Sequence, residues 1–246
     1  MAKLREVRVE ASALVSGHGM VAPGFVFRDT THHVVRIFEE FLARDFNLDG
    51  SSVVQITLGA RRSMDPEHLQ VLGTTQIHVD SFDFAAYHSI PPAQRERQIL
   101  ELIEDRLLHI ASVHGAESKP ILEAAAAVRQ HGFMLETERT KLARSLPERR
   151  GRVRVRVYRQ LASAYAERWV ARLFDHAGHQ VHEVVLKGQG AVDLRGHFHH
   201  SELAMDSFLL KDDLDRSTLS ISNLSELLAN PSADAHSYLK KHSFGR

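Results

Sequence analysis

From Arg152 to Val157 the chain reads Arg-Val-Arg-Val-Arg-Val. Only an extended strand turns successive side chains to opposite faces. In that conformation Val153, Val155 and Val157 line one face, and Arg152, Arg154 and Arg156 line the other. A strand with one apolar face cannot stand alone, so this segment demands a sheet and a core beneath it.

The flanking sequence supplies both. Trp169 to Phe174 and Val181 to Leu186 are apolar runs separated by Asp175-His176-Ala177-Gly178, a hairpin signal. Ala191 to His200 and Ser207 to Lys211 read as further strands. Ser222 to Leu228 reads as a short helix, and after Pro231 the sequence turns polar, as a loose tail does.

Upstream, Val7, Val9, Ala11 and Ala13 alternate with Arg8, Glu10 and Ser12, the period of a half-buried strand. A loop punctuated by glycine and proline (SGHGMVAPG) leads to Asp29 or Thr30, either of which can cap a helix. Val34, Phe38, Phe41 and Leu42 then form an apolar stripe that ends at Asn47-Leu48-Asp49-Gly50. Val53 to Leu58 and Val71 to Val79 read as strands.

The middle is helical. Pro91 and Pro92 precede Ile99, Ile103, Leu107 and Ile110 at helical spacing, with Gly115 where a left-handed cap would close the helix. Ser118 and Pro120 start a second, alanine-rich helix that Gly132 ends. So short a turn predicts an antiparallel pair.

Strands, then helices, then strands joined by short turns predict an α+β fold. Its expected parts are antiparallel sheet, a central antiparallel helix pair and an additional N-terminal helix. Residues 1–246 read as one domain. Any subdivision falls near 90, giving an N-terminal β-α-β part (1–90) and a helix pair plus antiparallel sheet (91–246).

Composition narrows the function classes. Hydrophobic residues make up 43% and charged residues 25%, which excludes wholesale disorder. Lys+Arg and Asp+Glu are both 31, a balance that argues against a dedicated binder of nucleic acid or anionic membrane. With no cysteine there is no disulfide, thiolate metal site or cysteine nucleophile, as suits a reducing cytoplasm. The N-terminus lacks a signal peptide's apolar run, and no stretch nears the roughly 20 apolar residues that span a bilayer.

Motifs for particular chemistry fail at nameable positions. Asp45-Phe46-Asn47-Leu48-Asp49-Gly50 matches the first half of a calcium-binding EF-hand loop, but Ile56 stands where its bidentate Glu belongs. His182-Glu183 opens like a zinc-protease signature, but Leu186 replaces the second His. No G-x-S-x-G elbow, P-loop or dinucleotide fingerprint is present, and Lys187-Gly188-Gln189-Gly190 has no following helix to hold a phosphate. Asp206, Asp212, Asp213 and Asp215 read as an acidic surface loop.

Two candidate sites remain. His197 and His199, on one face of a strand, would give two imidazoles to a divalent transition metal and open the alternative of a metal-dependent hydrolase; surface histidines are the plainer reading. The basic run from Arg139 to Arg159, centred on Arg152, Arg154 and Arg156, suits an acidic protein partner, a phosphate backbone or simply water.

The helix from Gln94 to His114, the second helix ending at Gly132, the arginine-rich strand and the hairpin at Phe174 to Gly178 together resemble bacterial immunity proteins of polymorphic toxin systems. The likeness is one of layout, over about Tyr87 to Leu186. It implies a cytoplasmic, non-catalytic protein that occludes a cognate toxin's active site without a cofactor, and it does not identify the binding surface or the oligomeric state. The expectation is therefore a protein that binds another protein, with the metal-dependent hydrolase and the nucleic-acid binder as alternatives.

Overall fold

The computed structural model describes residues 2–12, 23–60, 67–148, 151–187 and 195–241. It is a mixed α+β structure. Its contacts divide the chain into two compact units, Met1–Leu135 with Leu161–Ala166, and Glu136–Gln160 with Glu167–Arg246.

The first unit opens with β1 (Glu6–Ala11), α1 (Pro23–Phe41) and β2 (Val53–Leu58). A two-residue turn then joins β3 (His68–Val71) to β4 (Thr74–Val79). The sheet order is β1-β2-β4-β3. Strands β1, β2 and β4 run parallel, and only β3 pairs antiparallel. The antiparallel expectation is corrected here, because β1 and β2 are linked through a helix, and such a crossover returns the chain in the same direction. Val71 to Val79 is likewise not one strand: Leu72 and Gly73 both have positive φ and form a hairpin turn.

Helix α1 begins at Pro23, more than a turn before the predicted cap. Proline at the first helical position loses no hydrogen bond. Thr30 lies inside the helix, where its hydroxyl donates to the Phe27 carbonyl (2.8 Å) instead of capping. Residues 13–22 of the predicted loop, and with them Ala13, lie outside the described residues. After α2 (Phe84–Ser89) come α3 (Pro92–His114) and α4 (Lys119–Gln130). Gly115 caps α3 in the left-handed region at φ 69°, as its position predicts.

Both α3 and α4 pack on α1, which the sheet covers from the other side. That explains why α1 buries Thr31, His32, His33 and Arg36 as well as Val34, Ile37 and Phe38. Its apolar stripe is only part of what it buries. Phe27, Phe82, Phe84 and Tyr87 meet edge-to-face or tilted, with centroids 4.8–5.7 Å apart. Pro91 therefore falls inside a unit whose core draws on residues from both sides of it.

The second unit is built from antiparallel strand pairs. It contains β6 (Arg144–Glu148), β9 (Gln180–Lys187) and most of β5 (Leu135–Glu138), β7 (Gly151–Ala162) and β8 (Ala166–Phe174), whose ends at Leu135, Leu161–Ala162 and Ala166 belong to the first unit. These form a sheet ordered β5-β7-β8-β9, with β6 also along β7. A second sheet runs β10 (His200–Ala204), β11 (Ser207–Lys211), β12 (Ser217–Ile221) and β13 (Leu239–Lys241), with α5 (Leu224–Ala229) between the last two strands. The predicted loose tail thus pairs as β13 with β12 as far as Lys241.

One core joins the sheets: Val155, Val157, Trp169, Ala171, Leu173 and Val184 meet Phe198, Phe208, Leu210, Ile221 and Leu227. Each valine, leucine, isoleucine or phenylalanine among them contributes about 1.5–3 kcal/mol of burial. The valine face of β7 is thus the inner face, as the alternation requires. Among the described residues no helix is long and apolar enough to cross a membrane.

Candidate functional site

The outer face of β7 is set by the same alternation that buries Val155 and Val157. Even-numbered positions of β7 and β8 put on this face the exposed Arg154, the half-buried Arg156, Arg168, Arg172 and Phe174, and the buried Tyr158 and Gln160, with Glu136 and Glu138 on β5 and Glu183 on β9. Arg152 also lies on β7, but its side chain is outside the described residues, as are Arg149 and Arg150.

Arg172 is the hub. Its Nη1 and Nη2 donate to Oε1 and Oε2 of Glu136, both at 2.6 Å, and its Nε donates to Glu183 Oε2 at 2.7 Å. Arg172 and Glu183 are direct cross-strand partners in the β8–β9 hairpin. The guanidinium also lies 4.4 Å from the centroid of the Tyr158 ring. Arg156 repeats the arrangement more loosely, 4.9 Å from the Phe174 ring centroid and 3.4 Å from Glu138. Gln160 connects the array by donating to Glu136 and accepting from Arg168 Nε (2.7 Å). Hydrogen bonding to Arg172 holds the Glu136 carboxyl below its ordinary range, and that to Glu136 raises Arg172 further.

Exposed ion pairs contribute about 0–1 kcal/mol each, so this array adds little to stability. What it does is fix two long side chains in single orientations. Arg154 is different: it is exposed and has no side-chain partner among the described residues.

The inner face carries a departure from the pattern. Arg159 follows Val153, Val155 and Val157 in parity, and it is 1% exposed. It donates from Nε and Nη2 to the two carboxylate oxygens of Glu167 (3.1 and 2.9 Å), and Glu167 is fully buried. Trp169 Nε1 donates to Glu167 Oε1 at 2.7 Å. This is a structural ion pair, with its hydrogen-bonding capacity used inside the core.

The predicted histidine pair does not lie on a strand. Residues 195–199 form turns and bends, and β10 starts at His200, so the strand expected over Ala191 to His200 is corrected; residues 191–194 are outside the described set. Phe198 is buried against Trp169, with ring centroids 5.1 Å apart, and His197 and His199 project to solvent on either side of it. The His199 ring meets His200 edge-on at 4.4 Å. Among the described residues no group of three or more His, Asp or Glu is placed to share a metal ion. His182 donates from Nε2 to the Leu227 carbonyl (2.6 Å), and Glu202 pairs with Lys211.

Other sequence candidates resolve into local structure. Asn47 Oδ1 accepts from the Gly50 amide and Asp49 Oδ1 from the Ser51 amide, each at 2.9 Å, while Asp49 Oδ2 accepts from the Thr75 hydroxyl. Those oxygens shape a turn. Asp206 accepts from Ser225 at the start of α5, Asp212 pairs with Arg216, and Asp215 pairs with Lys211. The chain Lys187-Gly188-Gln189-Gly190 is outside the described residues beyond Lys187.

The sequence reading missed the acids and aromatics of the outer face. The turn at Asp175–Gly178 marks the hairpin, but a register shift between Leu173 and Phe174, which nothing in the sequence announces, sets Arg172 opposite Glu183 where the turn's own register would give His182. Nothing local marks Glu136, which is distant in sequence from Arg172. The chain matches no protein-family model, no curated protein and no solved structure.

Proposed function

We propose that this protein works by binding another protein and occluding it, as an immunity protein occludes its toxin, through the outer face of β7 and β8. One observation carries the reading: Arg156 and Arg172 are stacked on Phe174 and Tyr158 and braced by carboxylates, with Arg154 exposed beside them. Arginine is among the residues that dominate protein–protein hot spots, and side chains already ordered lose less entropy on binding. The partner surface is acidic, since it must complement Arg154 and the open edges of the other guanidiniums.

Nucleic acid is the less favoured partner, because the rings that would stack on bases are covered by guanidiniums, and Glu136, Glu138 and Glu183 repel phosphate. In this reading α3 and α4 form an antiparallel pair that stiffens the scaffold, and the protein acts in the cytoplasm without a cofactor.

The test is co-expression with the products of neighbouring genes. A toxic neighbour neutralised by the wild type, and at least about 30-fold less tightly bound after Arg154→Glu with Arg156→Glu, supports the proposal. Failure to rescue from every neighbour, or rescue that the double variant leaves intact, overturns it.

A further inference from the structure

The two edges of the first unit's sheet are built differently. On β1, Glu6, Arg8 and Glu10 put charge along the strand, and Glu39 Oε1 accepts the outward Val7 amide at 2.7 Å. That edge is guarded by the usual devices. On β3 no Asp, Glu, Lys or Arg occurs from His68 to Val79. Leu69 is 40% exposed, Val71 45% and Leu72 99%. Val113, 60% exposed, adds apolar surface beside His114, whose ring contacts that of His68.

The register shows which backbone groups β3 leaves open. In a two-residue hairpin the closing pair, here Val71 and Thr74, exchanges both hydrogen bonds, and every second pair does the same. Leu69 therefore also faces β4, and the His78 amide donating to the Glu67 carbonyl (2.9 Å) continues the series. His68 and Gln70 turn their N–H and C=O groups to the open edge, where they have no partner among the described residues.

We propose that β3 pairs antiparallel with β3 of a second copy of this chain. A two-fold axis at Leu69 sets His68 opposite Gln70 of the other copy, and Gln70 opposite its His68. All four open groups on each strand are then satisfied. The same axis sets Leu69 against Leu69 in a close, non-hydrogen-bonded pair, with Val71 opposite the other copy's exposed Glu67 on either side. No like charges meet, which is why a second copy is the occupant: the edge matches itself without alteration. So short a strand buries less than the ~1,200 Å² of a standard stable interface, so the dimer is weak and depends on concentration. The proposal does not depend on the partner-binding face of β7 and β8.

Sedimentation equilibrium of the full chain tests it, from about 1 μM to about 1 mM. The mass should rise from monomer towards dimer, and Leu69→Lys should raise the dissociation constant about tenfold or more with an unchanged melting temperature. Amide exchange gives an independent reading: the His68 and Gln70 N–H groups should slow as concentration rises. A mass that stays monomeric, a dimer that Leu69→Lys leaves intact, open-ended association, or exchange at His68 and Gln70 that ignores concentration would each overturn the pairing.

Discussion

Strand β7 uses arginine in two ways, one on each face. Arg159, on the valine side, is buried and held bidentate by an equally buried Glu167. Arg154 and Arg156, on the other side, meet water, aromatic rings and exposed carboxylates. Residue type and strand are the same; only parity differs. Inside, a charge without its partner is costly, so the pair is fixed by the fold. Outside, water replaces any lost partner, so the arginines can serve recognition at little cost to stability.

The sharpest way to break the contrast is to remove one inner partner. Glu167→Ala strands the Arg159 guanidinium in the core and should lower unfolding free energy by about 3–5 kcal/mol in urea denaturation. The joint replacement Arg159→Met with Glu167→Leu should recover most of that loss, because two apolar side chains leave no buried charge. If the double variant is as unstable as the single one, the pair is contributing more than mutual compensation. Trp169→Phe removes one donor from Glu167 and should cost about 1–3 kcal/mol, read in the same way.

The outer face should respond weakly. Arg172→Ala removes two ion pairs and the cover over Tyr158, and a loss of about 1 kcal/mol is expected by thermal melting. A loss as large as that of Glu167→Ala would erase the distinction between the faces. Protonation sharpens it further. The folded-state Glu136 carboxyl titrates below its unfolded value, so its stabilisation is present above the ordinary glutamate range and disappears as pH falls through the lowered value. The stability gap between wild type and Glu136→Gln should therefore close on acidification, as melts across that range would record. Smallest of all, Arg154→Ala should change stability by less than about 0.5 kcal/mol while weakening partner binding.

Much of this was legible in the chain. Alternation fixed the inner and outer faces of β7, Gly115 marked the end of α3, and the turn at Asp175–Gly178 marked the β8–β9 hairpin. Each is a local property, decided within a few residues by backbone sterics and side-chain period. The α1 start was misread because Asp29 and Thr30 are good caps in isolation, and the helix continues through them once both of its sides are buried.

The arginine–valine alternation by itself determined that this protein has a sheet, and which side of one strand meets water. Only the tertiary structure decided that Glu136 braces Arg172 from another strand, that Arg159 is neutralised by Glu167, and that β1 and β2 run parallel. Periodicity is set by neighbours in sequence. Strand direction and the Glu136–Arg172 pair depend on segments far apart in the chain, and even Arg159 and Glu167, near neighbours in sequence, become a buried pair only when the whole core is assembled.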